Sequence, residues 1–223
     1  GFTNEPTLVE LVHLGEQHRL PVVDDLGSGA LLDTTAFGLG HEPMVQESLA
    51  AGADVVCFSG DKLIGGPQSG IIIGRGDLVR KAARHPLTRA VRPDKLCLAG
   101  LSATLLHYLK GEAVQKIPVW RMISMGLDEI EPRAVRFAAG LDGEVVDGLS
   151  TVGGGSLPEE TLPTRLVALS LRSPERFAAH LRRRHIVARI SNDRIVFDLR
   201  TVRQEDDQRL ESEVRELMRH HSR

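Results

Sequence analysis

Three short apolar runs, each closing on glycine, organise the first part of the chain. Pro21-Val22-Val23-Asp24-Asp25-Leu26 leads into Gly27-Ser28-Gly29, Val55-Val56-Cys57-Phe58-Ser59 leads into Gly60-Asp61-Lys62, and Gly70-Ile71-Ile72-Ile73-Gly74 is framed by glycines. All three read as strands, the first short and buried; Val55–Ser59, with no alternation, suits a strand buried on both faces of a parallel sheet. Helical patterns lie between and around them. Leu8, Leu11, Val12 and Gly15 share one helical face behind Thr7, a residue suited to capping. Further helices are expected over 44–51 and 77–85. Strands interleaved with helices predict an α/β architecture.

The rest of the chain changes character. Residues 94–110 and 118–139 read as long helical stretches. A strand over 165–171 and a helix over 174–185, opening on Pro174, follow. Residues 186–190 and 194–199 alternate as a hairpin around Asn192-Asp193, and a charged helix over 205–221 ends the pattern. The expected organisation is a larger α/β domain in 1–110, linking helices in 111–150, and a small C-terminal α/β domain in 151–223. A chain of 223 residues has material for such a pair of cores.

Composition narrows the function classes. Hydrophobic residues make up 41% and charged residues 26%, which argues against wholesale disorder. A net charge of −2 gives no bulk electrostatic reason for this chain to bind nucleic acid. No apolar run approaches the roughly 18 residues of a membrane span. The opening Gly1-Phe2-Thr3-Asn4-Glu5 lacks the basic start and apolar stretch of a signal peptide. Cys57 and Cys97 are the only cysteines, too few for a disulfide framework or a cysteine-rich zinc site, and a reducing, cytoplasmic setting fits. The nine histidines show no zinc-helix spacing, so no metal is expected. Arg182-Arg183-Arg184-His185 ends a helix and serves equally as a solvated last turn or as a contact for RNA phosphates. Tyr108 and Trp120 stand alone, so no stacking platform for bases is visible.

Two loops carry the chemistry. Asp24-Asp25-Leu26-Gly27-Ser28-Gly29 puts carboxylates at the carboxyl end of a buried strand, where ligands bind in open α/β sheets. Ser59-Gly60-Asp61-Lys62-Leu63-Ile64-Gly65-Gly66-Pro67-Gln68 puts a lysine among small residues at the end of the next strand. A desolvated lysine forms Schiff bases, and a strand-terminal acid pairs with a pyridinium nitrogen, the requirements of a pyridoxal phosphate site. The same residues also fit an ordinary loop with a solvated lysine, and residue type and spacing leave both readings open.

These loops, together with His85-Pro86-Leu87-Thr88-Arg89-Ala90-Val91-Arg92-Pro93-Asp94-Lys95 and with Gly153-Gly154-Gly155-Ser156-Leu157-Pro158 followed by Leu162-Pro163, resemble bacterial selenocysteine synthase, the L-seryl-tRNA(Sec) selenium transferase family. Four motifs in order make the resemblance specific, and it runs from Gly1 to the last helix. The Lys62 loop alone also suits related fold-type I lyases.

The resemblance implies a fold-type I pyridoxal phosphate-dependent transferase of the aspartate aminotransferase-like class: part of the large domain plus a small C-terminal α+β domain. It implies that Lys62 holds pyridoxal 5'-phosphate, that Asp25 pairs with the ring nitrogen, that Asp61 is a second functional residue, and that Ser59 is a candidate contact for the cofactor phosphate. Asp24 falls at a variable position. Arg89 and Arg92, three positions apart on one face if helical, are implied as the clamp for selenophosphate, since paired guanidinium groups grip phosphate-like anions. Without the resemblance they read as a solvated face. The implied reaction replaces the seryl hydroxyl with selenium while serine remains esterified to tRNA(Sec). An N-terminal part ahead of this chain is expected to carry the cofactor-phosphate loop and the tRNA contacts. Rings of homodimers with active sites at dimer interfaces are implied for the intact enzymes. Two rivals remain: a lyase acting on a small amino or sugar acid, and a non-catalytic assembly module that keeps the fold.

Overall fold

The computed structural model describes residues 6–153 and 155–221. The chain divides into two compact units. One holds Val152–Glu160 with the described residues up to Ile123, and the other holds Ser124–Thr151 with those from Thr161 onward. The division therefore falls inside the stretch read from sequence as linking helices, and the glycine-rich segment after Thr151 returns to the first unit.

The first unit opens with α1 (Leu8–His18). Thr7 caps it through a reciprocal box: the Glu10 N–H donates to Thr7 Oγ1 at 3.3 Å, and the Thr7 N–H donates to Glu10 Oε2 at 2.7 Å. These bonds hold the Glu10 carboxyl below the usual carboxylate range. Strand β1 (Val23–Gly27), helix α2 (Val45–Ala50) and strand β2 (Val55–Ser59) follow, then β3 (Gly70–Gly74). The strands form one sheet in the order β1-β2-β3. β1 and β2 are parallel, as expected of strands joined through a helix, whereas β3 runs antiparallel to β2. Only β2 is largely buried in this chain; β1 and β3 alternate, with Ile72 exposed. Val55–Ser59 is buried as its lack of alternation predicts, whereas the run ending in Asp25-Leu26, read as a buried strand, alternates in this chain. An apolar run records hydrophobicity, not which neighbour covers it.

Helices α3 (Gly76–Ala83) and α4 (Pro86–Val91) lead to α5 (Lys95–Leu109), capped by Asp94, whose side chain accepts from the Cys97 N–H at 2.8 Å. Short helices α6 (Ala113–Lys116) and α7 (Pro118–Ser124) close this part. The core of the unit gathers Val45, Val56, Phe58 and Ile64 beneath partly buried Leu101, Leu105 and Tyr108 of α5.

The second unit contains α8 (Leu127–Leu141), β4 (Glu144–Thr151), β5 (Thr161–Leu169), α9 (Pro174–Arg183), β6 (Arg189–Ser191), β7 (Arg194–Asp198) and α10 (Asp207–His221). Its sheet is antiparallel in the order β4-β5-β7-β6. The helix expected over 118–139 is broken at Met125-Gly126, where Gly126 is the N-cap of α8; glycine is a poor helix interior and a serviceable cap. β4 occupies the end of the stretch read as linking helices. The hairpin turns where expected, with Asn192 and Asp193 both left-handed at φ 49° and 57°, the conformation that a two-residue hairpin loop requires. The core packs Phe137, Phe177, Leu181, Ile195, Leu199 and Val214, each nearly or fully inaccessible. Each such side chain contributes about 1.5–3 kcal/mol by burial.

Polar groups pin this second core. Arg133 of α8 donates from Nε and Nη2 to the two carboxylate oxygens of Asp207 at 2.8 and 2.7 Å, and Nη2 also reaches the Val202 carbonyl at 2.8 Å. Arg200 is buried and donates to the carbonyls of Met125 and Pro163 at 2.7 and 2.6 Å. Desolvation lowers the pKa of its guanidinium.

Candidate active site

Everything that positions Lys62 lies within the first unit. The strand order sends β1 and β2 in the same direction, so their loops emerge side by side. β1 is irregular between Asp25 and Gly27, and Gly27 and Gly29 take left-handed φ of 64° and 67°. Those angles favour glycine. At Gly29 a side chain would meet the Ser59 carbonyl at 2.7 Å, so the two loops are in backbone contact there. The Leu63 N–H donates to the Ser28 carbonyl at 3.1 Å, and Leu63 and Ile64 are buried. The loop is thereby anchored on both sides of its lysine.

Lys62 Nζ projects past the end of β1. A Cβ built on Gly27 would stand 3.6 Å from it, and one built on Gly155 would stand 3.3 Å from it. Gly155 has φ 84°, and Leu157, two residues on, is left-handed at φ 49° and buried. The segment is held at its end by Glu160, whose carboxylate accepts from the Gly40 N–H at 3.1 Å. Glycine on both sides leaves room for Lys62 and for something bound to it.

Lys62, Asp61, Leu63, Gly65, Gly66, Pro118, Val119, Val152, Gly153 and Ser156 line a pocket of about 330 Å³. Asp61 is exposed at its rim and Lys62 is half-buried. Among the described residues, Lys62 Nζ takes no hydrogen bond or ion pair. Ser156 Oγ in the lining, and Ser28 Oγ beside Gly27, are buried with no hydrogen-bond partner. Buried hydroxyls are ordinarily satisfied. A free amine between two glycines, with orphaned hydroxyls nearby, fits a bound carbonyl cofactor with polar substituents.

Asp25 stands two residues before Gly27, in register with Cys57. Burial, and then the charges of Asp25 and Asp24, push the Cys57 thiol up, a sign of the negative potential that ends β1. Asp25 is exposed in this chain and Asp24 half-buried. Asp25 and Ser59 do not line the Lys62 pocket; Ser59 ends β2, half-buried.

Arg89 and Arg92 are both exposed and outside this pocket. Their expected placement on one helical face is corrected: α4 ends at Val91, and Arg92 is extended at φ −63°, ψ 140°. Pro93 explains this, because its ring disfavours helical geometry in the residue before it.

Several residues around Lys62 were not assigned a role from sequence. Ser156 and Gly155 lay in a quoted motif whose glycine spacing was its only signal. Gly154 of that motif lies outside the described residues. Tyr108 and Trp120, isolated in sequence, are brought together: Trp120 Nε1 donates to Tyr108 Oη at 2.6 Å. Among the described residues no group of His, Cys, Asp and Glu could hold a metal ion, and no helix is long and apolar enough to cross a membrane.

Known proteins resemble this chain over most of its length. Residues 1–203 match the family model described as L-seryl-tRNA selenium transferase. The chain is 44% identical to the L-seryl-tRNA(Sec) selenium transferase of Alkaliphilus metalliredigens, over 92% of its own length and 47% of that protein's. It is also 44% identical to the enzyme of the same name from Geobacter sulfurreducens, over 97% of its length and 50% of that protein's. The chain therefore spans about half the length of the curated relatives it matches. Among solved structures, D-glucosaminate-6-phosphate ammonia-lyase superposes with a TM-score of 0.62 at 20% identity, covering 100% of this chain and 56% of that one. The fold is shared with that lyase and is of the fold-type I class. With the family model matching nearly the whole chain and the motif lysine set in a glycine-walled pocket, this chain belongs to the L-seryl-tRNA selenium transferase family.

Proposed function

We propose that this chain carries the lysine-bearing part of an enzyme that converts seryl-tRNA(Sec) to selenocysteinyl-tRNA(Sec) with selenophosphate as donor, using pyridoxal 5'-phosphate on Lys62. The observation that carries the reading is the setting of Lys62 Nζ, partnerless among the described residues and walled by Gly27 and Gly155. Membership of the family supports the substrate and the donor.

Each residue has a part that its chemistry allows. Lys62 Nζ is the attachment point and, when free, a base able to take a proton from a substrate α-carbon. Asp25, at the end of β1, holds a positive charge on a ring nitrogen placed against it. When bound, the cofactor supplies an electron sink for charge developing at the α-carbon. Asp61, beside Lys62 at the pocket rim, is a second proton carrier. Ser156 and Ser28 offer hydroxyls to ligand oxygens, with Ser59 a further candidate for the cofactor phosphate. Arg89 and Arg92, exposed around the end of α4, supply two guanidinium groups for the selenophosphate anion. The tRNA contacts and the homodimeric assembly belong to the whole enzyme, a cytoplasmic protein in this reading.

The test is to add pyridoxal phosphate to the full-length protein, reduce with borohydride and map the modified peptide. Label on Lys62 that disappears in Lys62→Ala is the expected result. No label on Lys62 overturns the cofactor reading and favours an assembly module. Labelling with turnover of a small amino or sugar acid, and none of seryl-tRNA(Sec), would replace the transferase by a lyase.

A further inference from the structure

The second and third peptide units after Lys62 are held by a side chain from a distant helix. Tyr108, in the last turn of α5, donates its hydroxyl to the carbonyls of Leu63 and Ile64, each at 3.0 Å. These two carbonyls accept no backbone N–H among the described residues. The phenol has one proton for two acceptors, so its orientation matters. Trp120 sets that orientation by donating Nε1–H to the same oxygen at 2.6 Å, which fills the acceptor side and directs the proton toward the loop. Trp120 is fully buried and fixed against Phe37, ring centroids 5.6 Å apart.

The rest of the loop is tied by its own backbone. The Gly65 N–H donates to the Lys62 carbonyl at 2.9 Å, the Gly66 N–H to Gly60 at 2.8 Å, and the Leu63 N–H to Ser28 at 3.1 Å. These bonds fix the N–H groups of the turn and leave the carbonyls of residues 63 and 64 to Tyr108. The peptide that follows the Lys62 Cα is tied by the Gly65 and Leu63 N–H groups and meets, at Leu63, the peptides that Tyr108 holds, so the direction of Cα–Cβ at Lys62 is set by the turn as a whole. Four flexible bonds lie between that Cβ direction and Nζ, so a turn that rocks would blur the position of the amine.

We propose that Tyr108 and Trp120 are positioning residues for Lys62: the Trp120 N–H orients the Tyr108 hydroxyl, which fixes the peptides joining residues 63 to 65, completes the bonding of the turn and so steadies where Nζ sits. Its functional meaning rests on the reading of Lys62 as the cofactor lysine, but the positioning itself is measurable on the amine alone. Phenylalanine at 108 would keep the ring packing and remove only the hydroxyl. Phenylalanine at 120 would keep a buried aromatic ring, smaller than the indole, and remove the N–H.

The experiment is competitive acetylation of the full-length, cofactor-free protein with isotope-coded anhydride across a pH series, quantifying the Lys62 peptide against exposed Lys95 and Lys110. In Tyr108→Phe the reactivity of Lys62 changes by about two- to tenfold, the size of one lost hydrogen bond. In Trp120→Phe it moves in the same direction by less. Lys95 and Lys110 stay unchanged in both. Val45→Ala, a core variant of the same unit outside the loop, lowers the melting temperature and leaves Lys62 unaltered. If Tyr108→Phe does not fold, Trp120→Phe alone decides by the same criterion. Reactivity of Lys62 equal to that of the unsubstituted protein, or matched by Val45→Ala, overturns the proposal. Borohydride labelling of the unsubstituted protein separates the two readings. Label on Lys62 with unchanged reactivity in the variants sinks the positioning role alone. Absent label with altered reactivity sinks the cofactor role alone.

Discussion

The Leu63 N–H donates to the Ser28 carbonyl at 3.1 Å, so the residue that follows Lys62 is bonded to the residue that follows Gly27. That single bond joins the two strand-end loops at their chemical residues. It places the amine beside a position that only a glycine can leave open. The same principle operates on the opposite side, where Gly155 closes over the lysine.

Gly155→Ala should therefore damage the site more than the fold. Its Cβ would lie 3.3 Å from both Cε and Nζ of Lys62, and its φ of 84° is one that side chains rarely adopt. The left-handed conformation costs about 1–2 kcal/mol for an L-residue, so a drop of a few degrees in melting temperature is expected. The borohydride label on Lys62 should fall much further than that. Full labelling in Gly155→Ala would show that the loop yields without affecting Lys62.

Ser156 gives the converse expectation. A buried hydroxyl without a partner costs about 1–3 kcal/mol, and Ser156 Oγ is such a group. Ser156→Ala should leave the cofactor-free protein as stable as before, or more so, and weaken retention of pyridoxal phosphate. Melting curves with and without cofactor read both effects. Equal destabilisation in the two states would mean that the hydroxyl serves only the fold.

Tyr108 carries a pH signature. Burial pushes its phenol up to about 12, against the opposing bond from Trp120. The folded value exceeds the unfolded one of about 10, so its contribution to stability is complete below about pH 10. It is lost as the pH rises toward 12, because the unfolded chain ionises first. The phenolate absorbance, taken as a difference between the protein and Tyr108→Phe, should show a midpoint well above 10. A midpoint near 10 would mean that the hydroxyl is solvated and holds no carbonyls.

Much of this was legible in sequence, for reasons that particular residues show. Thr7 capped its helix as read, because a capping box is local chemistry. The Asn192-Asp193 turn was legible because its left-handed angles restrict which residues fit. Lys62 and Asp25 were legible as strand-end residues, because glycine punctuation marks strand ends in an α/β pattern. Tyr108 and Trp120 were not found: each bonds across the fold, and nothing in the spacing of 63, 108 and 120 encodes that meeting. Arg92 does not share a helical face with Arg89, and the signal was present, since Pro93 disfavours the helical continuation on which that pairing was conditional. The antiparallel course of β3 was hidden because an apolar run has no direction.

Acid should loosen the edge of the first unit at a predictable place. Asp54 accepts from Arg75 Nη1 at 2.9 Å and from the Val22 N–H at 2.8 Å. The Arg75 guanidinium first, and the Val22 N–H second, hold its carboxyl below the ordinary carboxylate range. A lowered folded pKa gives stability that is present above the unfolded value of about 3.9 and lost as the pH falls through the folded value. Asp54→Asn should thus lower the melting temperature at neutral pH and flatten its decline below about pH 4. A decline as steep as that of the unsubstituted protein would assign acid sensitivity to other carboxylates.

The second unit offers a test of a buried charge pair. Arg133 is 5% exposed and grips both oxygens of Asp207, joining α8 to the first turn of α10. Removing the arginine leaves a carboxylate without its partner, whereas replacing both partners removes the charge as well as the bond. Arg133→Ala should cost about 3–5 kcal/mol. Arg133→Met with Asp207→Leu should recover a large part of that loss, because well-packed apolar pairs replace buried ion pairs at little cost. Denaturant unfolding of the three proteins measures the difference. A double variant as unstable as Arg133→Ala would mean that the guanidinium acts mainly through the Val202 carbonyl, which it also bonds at 2.8 Å, and not through Asp207.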